Sequence, residues 1–183
     1  MHARTFKTEG IVLKRINIGE ADRLVTIFTK AEGKLVARAR GVRKITSRRA
    51  GSLEPATQAN FFFRQNGFGA ELEQAQLIHS FSRARTTLRR LTQVSQILEI
   101  VDLLTRENQS HESVYSLLVA TLEKLNHPGP KRQILVHNCR AIVAELGFGL
   151  PPVDTELALK HHIEEIIDRA LRTKPMLALA PLD

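Results

Sequence analysis

The order of apolar and polar positions changes character once along the chain, near Ser82. Before that point the apolar residues come in short runs rich in β-branched side chains, over residues 10–18 and 23–30. Gly19-Glu20-Ala21-Asp22 and Glu32-Gly33 bound these runs with residues suited to turns. A third run, residues 34–41, alternates: Leu35, Ala37 and Ala39 fall on one side, Lys34, Val36, Arg38 and Arg40 on the other. Period two marks a half-buried strand, here with a basic outer face. Residues 57–64 and 70–81 supply two more strands, separated by the hairpin dipeptide Asn66-Gly67. Five short strands without intervening helices predict a small closed barrel, of the five-stranded OB type. An SH3-like barrel fits the periodicity nearly as well.

After Ser82 the apolar residues recur every three or four positions. Leu88, Leu91, Val94, Leu98 and Val101 predict a long amphipathic helix. A second is predicted over residues 112–125, ended by His127-Pro128-Gly129-Pro130. A third covers 131–146, stopped by Gly147 and Pro151-Pro152, and a fourth starts after Asp154 as N-cap and ends before Pro175. Short connections favour antiparallel packing of neighbouring helices. The expected class is therefore α+β and multidomain: an OB-type β-barrel over residues 1–82, then an α-helical bundle over 83–183.

Charge sharpens this division. The net charge is +8, but residues 1–90 hold 18 Lys and Arg against 7 Asp and Glu, and the remainder 9 against 12. All the excess positive charge lies in residues 1–90, a footprint expected for a polyanion partner. It is densest over residues 34–49, where Lys34, Arg38, Arg40, Arg43, Lys44, Arg48 and Arg49 occur with no acid between them. Lys14 and Arg15 extend the group. Cations on a strand face that continue into a loop form a track for successive phosphates, and Arg also stacks on bases. A solvated basic loop without a partner is the plainer alternative. Arg83, Arg85, Arg89 and Arg90 cluster at the start of the first helix, against its macrodipole, where a bound anion would offset them; exposed charges screened by salt are an equal alternative. Phe28, Phe62 and Phe68 are the aromatic candidates for base stacking, although each also fits a core position.

Other chemistry finds little support. The single cysteine, Cys139, forms no internal disulfide and sits on a helical apolar stripe with Leu135, Ile142 and Val143, as a buried residue would. His161 and His162 are adjacent, which prevents them sharing a helical face, and no zinc-type spacing occurs. No nucleophile elbow or phosphate-binding glycine loop is present, so neither an active site, a metal nor a cofactor is expected. Apolar runs such as Phe61-Phe62-Phe63 are too short for a bilayer, and residues 1–9 lack a secretory pattern. A cytoplasmic protein without membrane attachment is the expectation.

An ordered series of small motifs carries a family resemblance. Thr8-Glu9-Gly10-Ile11-Val12-Leu13 is followed by Gly19-Glu20-Ala21-Asp22-Arg23, Thr29, Gly33-Lys34-Leu35, Ala39-Arg40-Gly41, Arg43-Lys44, Ser47-Arg48, Gly51 and Leu53-Glu54-Pro55. This series resembles the RecO family of recombination mediators, and Leu146-Gly147-Phe148 and residues 169–177 are similar to its helical part. The resemblance implies an OB fold joined to a helical domain, with binding of single- and double-stranded DNA and annealing of complementary strands. It implies a nucleoid-associated protein that engages the C-terminal tail of single-stranded DNA-binding protein and works with RecR to load RecA. Gly19, Glu20, Asp22 and Arg23 match a signature that shapes the first hairpin. Arg38, Arg40, Arg43, Lys44 and Arg48 match the family's basic barrel face. Many relatives carry two cysteine pairs binding zinc after the Leu146-Gly147-Phe148 position, whereas here residues 149–154 lead straight to the last helix. The helical domain is accordingly expected to be short and zinc-free. Lys131, Arg132, Arg140 and Phe148 are the candidates for a tail-binding pocket, apolar with cations at its rim.

The expected function is a non-enzymatic mediator of DNA repair and recombination. If about seven phosphates are neutralised, affinity for single strands should fall with a log–log salt slope near −5. Two rivals remain: an RNA- or ribosome-associated OB protein, and an adaptor whose helices bind a protein while its charge is incidental.

Overall fold

The structure is a computed structural model, and it describes residues 4–44, 47, 49–66, 69–129 and 132–173. Among these residues five strands, β1 (Arg4–Ile18), β2 (Asp22–Thr29), β3 (Gly33–Ala39), β4 (Gln58–Asn66) and β5 (Gly69–His79), precede four α-helices. The helices are α1 (Leu88–Leu104), α2 (Glu112–Asn126), α3 (Arg132–Glu145) and α4 (Glu156–Ile167). The strands close into a barrel in the order β1-β2-β3-β5-β4. Every pairing is antiparallel except β3 with β5, which run parallel through Ala37↔Ala70 and Arg38↔Glu71. This is the OB-type barrel followed by helices that the sequence predicts.

β1 makes closure possible. Its first part, Arg4 to Ile11, pairs with β4, and the part from Gly10 onward pairs with β2. A bulge between Val12 and Lys14 shifts the register, bending the strand from one partner toward the other. Period two then delivers Val12, Val25, Ile27, Leu35, Ala37, Phe61 and Phe63 to the interior. Phe6 stacks on Phe63 with ring centroids 5.3 Å apart.

The chain divides into two compact units, and the division differs from a cut at Ser82. The barrel unit comprises residues up to Ser80 together with Arg106–Tyr115. That polar segment is held on the barrel mainly by backbone and side-chain hydrogen bonds. The Asn108 N–H donates to the Lys34 carbonyl at 3.0 Å, and the Ser110 hydroxyl to that of Lys30 at 3.3 Å. Tyr115 packs against Phe28, ring centroids 6.3 Å apart, and its hydroxyl donates to Glu9 Oε1 at 2.9 Å. Burial and the Glu9 carboxylate both raise the Tyr115 pKa, so the phenol stays protonated.

The second unit comprises Phe81–Thr105 and the chain from Ser116 onward. Here α1 packs against α3 and α4, and α3 against α4. Thr87 caps α1 by accepting the Arg90 N–H, so Arg83 and Arg85 fall in a separate 3-10 turn, Ser82–Arg85. The expected concentration of charge against the helix dipole thus reduces to Arg89 and Arg90. Leu88 and Leu91 stay exposed, and the buried apolar stripe of α1 begins at Val94, beside the buried Gln93. α4 is capped by Thr155, whose side chain accepts the Ala158 N–H, not by Asp154 as expected. It ends at Ile167 with Asp168 in the left-handed region, earlier than Pro175 alone would impose. Cys139 is buried on α3, and desolvation followed by the Glu156 charge pushes its thiol up to about 12. No helix among the described residues is long and apolar enough to cross a membrane.

Candidate nucleic-acid interface

One end of the barrel gathers most of the predicted cations. The β1–β2 turn, the chain leaving β3 and the start of β5 meet there, because β3 runs parallel to β5 at Arg38↔Glu71. The Arg43 N–H donates to the Ala21 carbonyl at 2.9 Å, fastening the loop after β3 to the first hairpin. Gly19 turns the hairpin at φ +54. Asp22 secures the junction: its Oδ1 accepts the Gly41 N–H at 2.8 Å and its Oδ2 accepts Arg38 Nε at 2.9 Å and Nη2 at 2.7 Å. The Gly41 N–H and then Arg38 hold its carboxyl below the ordinary range. Arg23 donates to Asn17 and to Glu54. Gly19, Asp22 and Arg23 therefore build the hairpin and anchor its neighbours.

The cationic wall is less open than the sequence suggests. Arg15 pairs with Glu54 at 2.8 Å, Arg38 with Asp22, and Arg40 with Glu71, which also takes Arg64 at 2.9 Å. These carboxylates lie outside residues 34–49, which is why that segment reads as uniformly positive. Arg38 and Arg40 nevertheless keep 50% and 67% of their side chains exposed, so a phosphate could reach them. Exposed pairs of this kind are weak and exchangeable. Arg49 is held inward, its guanidinium donating to the carbonyls of Leu72, Glu73 and Arg40 at 2.7–3.0 Å. Lys34 does not stand on an exposed face: it is buried, its backbone bridging to Glu107 of the covering segment. Arg43 donates to the Gly19 carbonyl at 2.9 Å, and neither it nor the exposed Lys44 pairs with a carboxylate among the described residues. Lys14 is exposed on β1. Arg48 and Phe68 lie outside the described residues, and Phe28 is a core residue.

The tail-binding candidates are not brought together by any contact among the described residues. Lys131 lies outside them, and Arg132 is described by its backbone alone. Arg140 pairs with Asp154 at 2.9 Å, and Phe148 is 40% exposed just beyond α3. No cluster of His, Cys, Asp and Glu able to hold a metal occurs among the described residues.

Sequence reasoning missed the partners Asp22, Glu54 and Glu71, whereas Phe62, a stacking candidate for which a core position was the alternative, is half-buried on β4 and faces outward between inward Phe61 and Phe63. The signal was present in the alternation Asn60, Phe62, Arg64, which places the middle phenylalanine among polar residues.

Comparison with known proteins matches residues 1–81 to the family model described as Recombination protein O N terminal, and residues 85–152 to Recombination protein O C terminal. The chain is 32% identical over 122 residues to the DNA repair protein RecO of Pelotomaculum thermopropionicum, covering 67% of this chain and 48% of the relative. With that of a Synechococcus strain it is 31% identical over 160 residues, 81% of this chain and 56% of the relative. With that of a Roseiflexus strain it is 36% identical over 126 residues, 69% and 44% respectively. The chain thus spans about half the length of the curated relatives it matches.

Proposed function

Because the chain belongs to the RecO family, we propose that it acts in DNA repair and homologous recombination as a non-enzymatic mediator. In this reading the barrel holds single- and double-stranded DNA by its backbone and supports annealing of complementary strands. The helical unit recruits the C-terminal tail of single-stranded DNA-binding protein, and RecR joins it in loading RecA. One observation carries the DNA-binding part: Arg38, Arg40, Arg43 and Lys44 crowd the barrel end formed by the β1–β2 turn and the start of β5. OB-type barrels bind oligonucleotides through their strand 2–3 face and the loops joining strands 1–2 and 4–5. The carboxylates at this end fix the arginines in position while leaving them accessible, so a phosphate can replace them.

Reversing the charge of Arg38, Arg40, Arg43 and Lys44 should weaken binding of single strands almost equally for all sequences. Unchanged affinity in that variant would refute the assignment. An annealing assay on strands coated with single-stranded DNA-binding protein tests the mediator role, and competition between matched DNA and RNA oligonucleotides tests the choice of nucleic acid.

A further inference from the structure

A second feature of the barrel has the chemistry of a nucleobase site. On the outer face of β1, β4 and β5, Lys7, Asn60, Phe62, Gln74, Ala75 and Gln76 line a depression of about 340 Å³. Strand register explains why they meet. Phe62 lies opposite Lys7 on one side and Gln74 on the other, and Asn60 lies opposite Gln76. Side chains opposite one another in antiparallel pairs project to the same face. The central Phe of the Phe61-Phe62-Phe63 run therefore points outward while its neighbours fill the core.

The lining has one cation, Lys7, and no carboxylate. Lys7 makes no ion pair with a described residue, and the Asn60, Gln74 and Gln76 carboxamides make no side-chain hydrogen bond with one. An aromatic face, three carboxamides offering both donors and acceptors, and one ammonium group match a planar hydrogen-bonding ring attached to a phosphate. Carboxamides read base edges in this way, and a ring face stacks on any base. An acidic apolar peptide would instead call for several cations around an apolar pocket. The depression also adjoins the basic end: Arg64, two residues along β4 and roughly 7 Å from Phe62, shares Glu71 with Arg40.

We propose that this depression receives an unstacked base of a single strand whose backbone is held at the basic end of the barrel. The inference rests on the DNA-binding reading above and adds to it a preference for strands that carry accessible bases. A paired base is already stacked and cannot enter, so duplex should gain nothing from this site.

The test compares fluorescence anisotropy of oligothymidylate with that of an abasic phosphodiester of the same length, for the full chain and for Phe62→Ala and Phe62→Tyr. The full chain should prefer the base-bearing strand. Phe62→Ala should lose that preference by about five- to tenfold, the low end of one base–aromatic stack, with abasic binding unchanged, and Phe62→Tyr should retain it. Photocrosslinking of the unaltered chain to a strand containing 5-iodouracil should label Phe62 or its lining neighbours, a readout that needs no variant. If Phe62→Ala keeps the preference, or the label falls elsewhere, the base site is wrong while backbone binding stands. Failure of the unaltered chain to bind either polymer overturns both.

Discussion

Gly33 offers a sharp test of how the segment Arg106–Tyr115 is attached to the barrel. It sits at φ +72, and a Cβ added there would lie 2.0 Å from the Gln109 carbonyl oxygen, 2.4 Å from its carbon and 2.8 Å from its nitrogen. All three are backbone atoms, so no rotamer change relieves the contact. Gly19 is the internal control, at φ +54 with nothing within 4 Å of the added carbon. Alanine at either position meets the left-handed backbone penalty of roughly 1 kcal/mol. At Gly33 the steric displacement adds about 1–3 kcal/mol, the usual range for overpacking. Gly33→Ala should therefore cost about 2–4 kcal/mol and Gly19→Ala about 1 kcal/mol. The chain has one tyrosine and no tryptophan, so intrinsic fluorescence reports Tyr115 at the end of this segment. Urea titrations followed by that signal should show a much earlier transition for Gly33→Ala than for Gly19→Ala. Equal midpoints would mean that the segment does not rest against the β2–β3 turn.

Three other outcomes follow from the same geometry. The carboxyl of Asp22 is depressed below its ordinary value of 3.8, so its contribution is present above that value and is lost as pH falls through the depressed one. Acid unfolding of Asp22→Asn should accordingly lack part of the steepness seen in the parent chain, with the two stability curves converging at low pH. With its thiol pushed up to about 12 by burial, Cys139 should resist a disulfide reagent near pH 8 in the folded chain and react promptly in denaturant. Arg49→Ala should lower stability more than Lys44→Ala, because it removes three buttressing bonds to the carbonyls of Leu72, Glu73 and Arg40, whereas Lys44 is exposed. Thermal unfolding of the two variants checks the order.

The barrel was legible because residues 34–41 alternate cleanly, short apolar runs mark the neighbouring strands, and turn residues stand at the hairpins. The first part of β1 was not. Its inward positions include Phe6 and Thr8, and one apolar residue among charged neighbours does not announce a strand. The attachment of residues 106–110 was invisible for a different reason: it depends on backbone hydrogen bonds and a glycine-sized gap, neither of which leaves an apolar pattern. Lys34 follows the alternation and does face away from the interior, but alternation says nothing about what covers the outer face. Counting charge along a window likewise missed Asp22, Glu54 and Glu71, which reach the arginines only through strand pairing. The resemblance of the ordered motifs to RecO proteins identified the family, and the fold supplies a physical reason for one of them: Asp22 and Arg23 tie three loops together.

The ion pairs alter what a binding experiment should read. Among the described candidates Lys34 is buried, Arg49 is turned to carbonyls, and Arg15 is largely covered beside Glu54. This leaves Arg38, Arg40, Arg43 and Lys44 as the exposed cations at this end of the barrel, with Lys14 exposed on β1. Four phosphates correspond to a log–log salt slope of about −3 for single strands, shallower than the −5 expected from the unpaired segment. The most direct measurement is that slope for the full chain and for the double variant Arg43→Ala/Lys44→Ala. A slope near −3 that falls in magnitude by about 1.4 in the variant is the predicted result. A slope near zero, or one that the variant leaves unaltered, would contradict the placement of DNA at this end of the barrel.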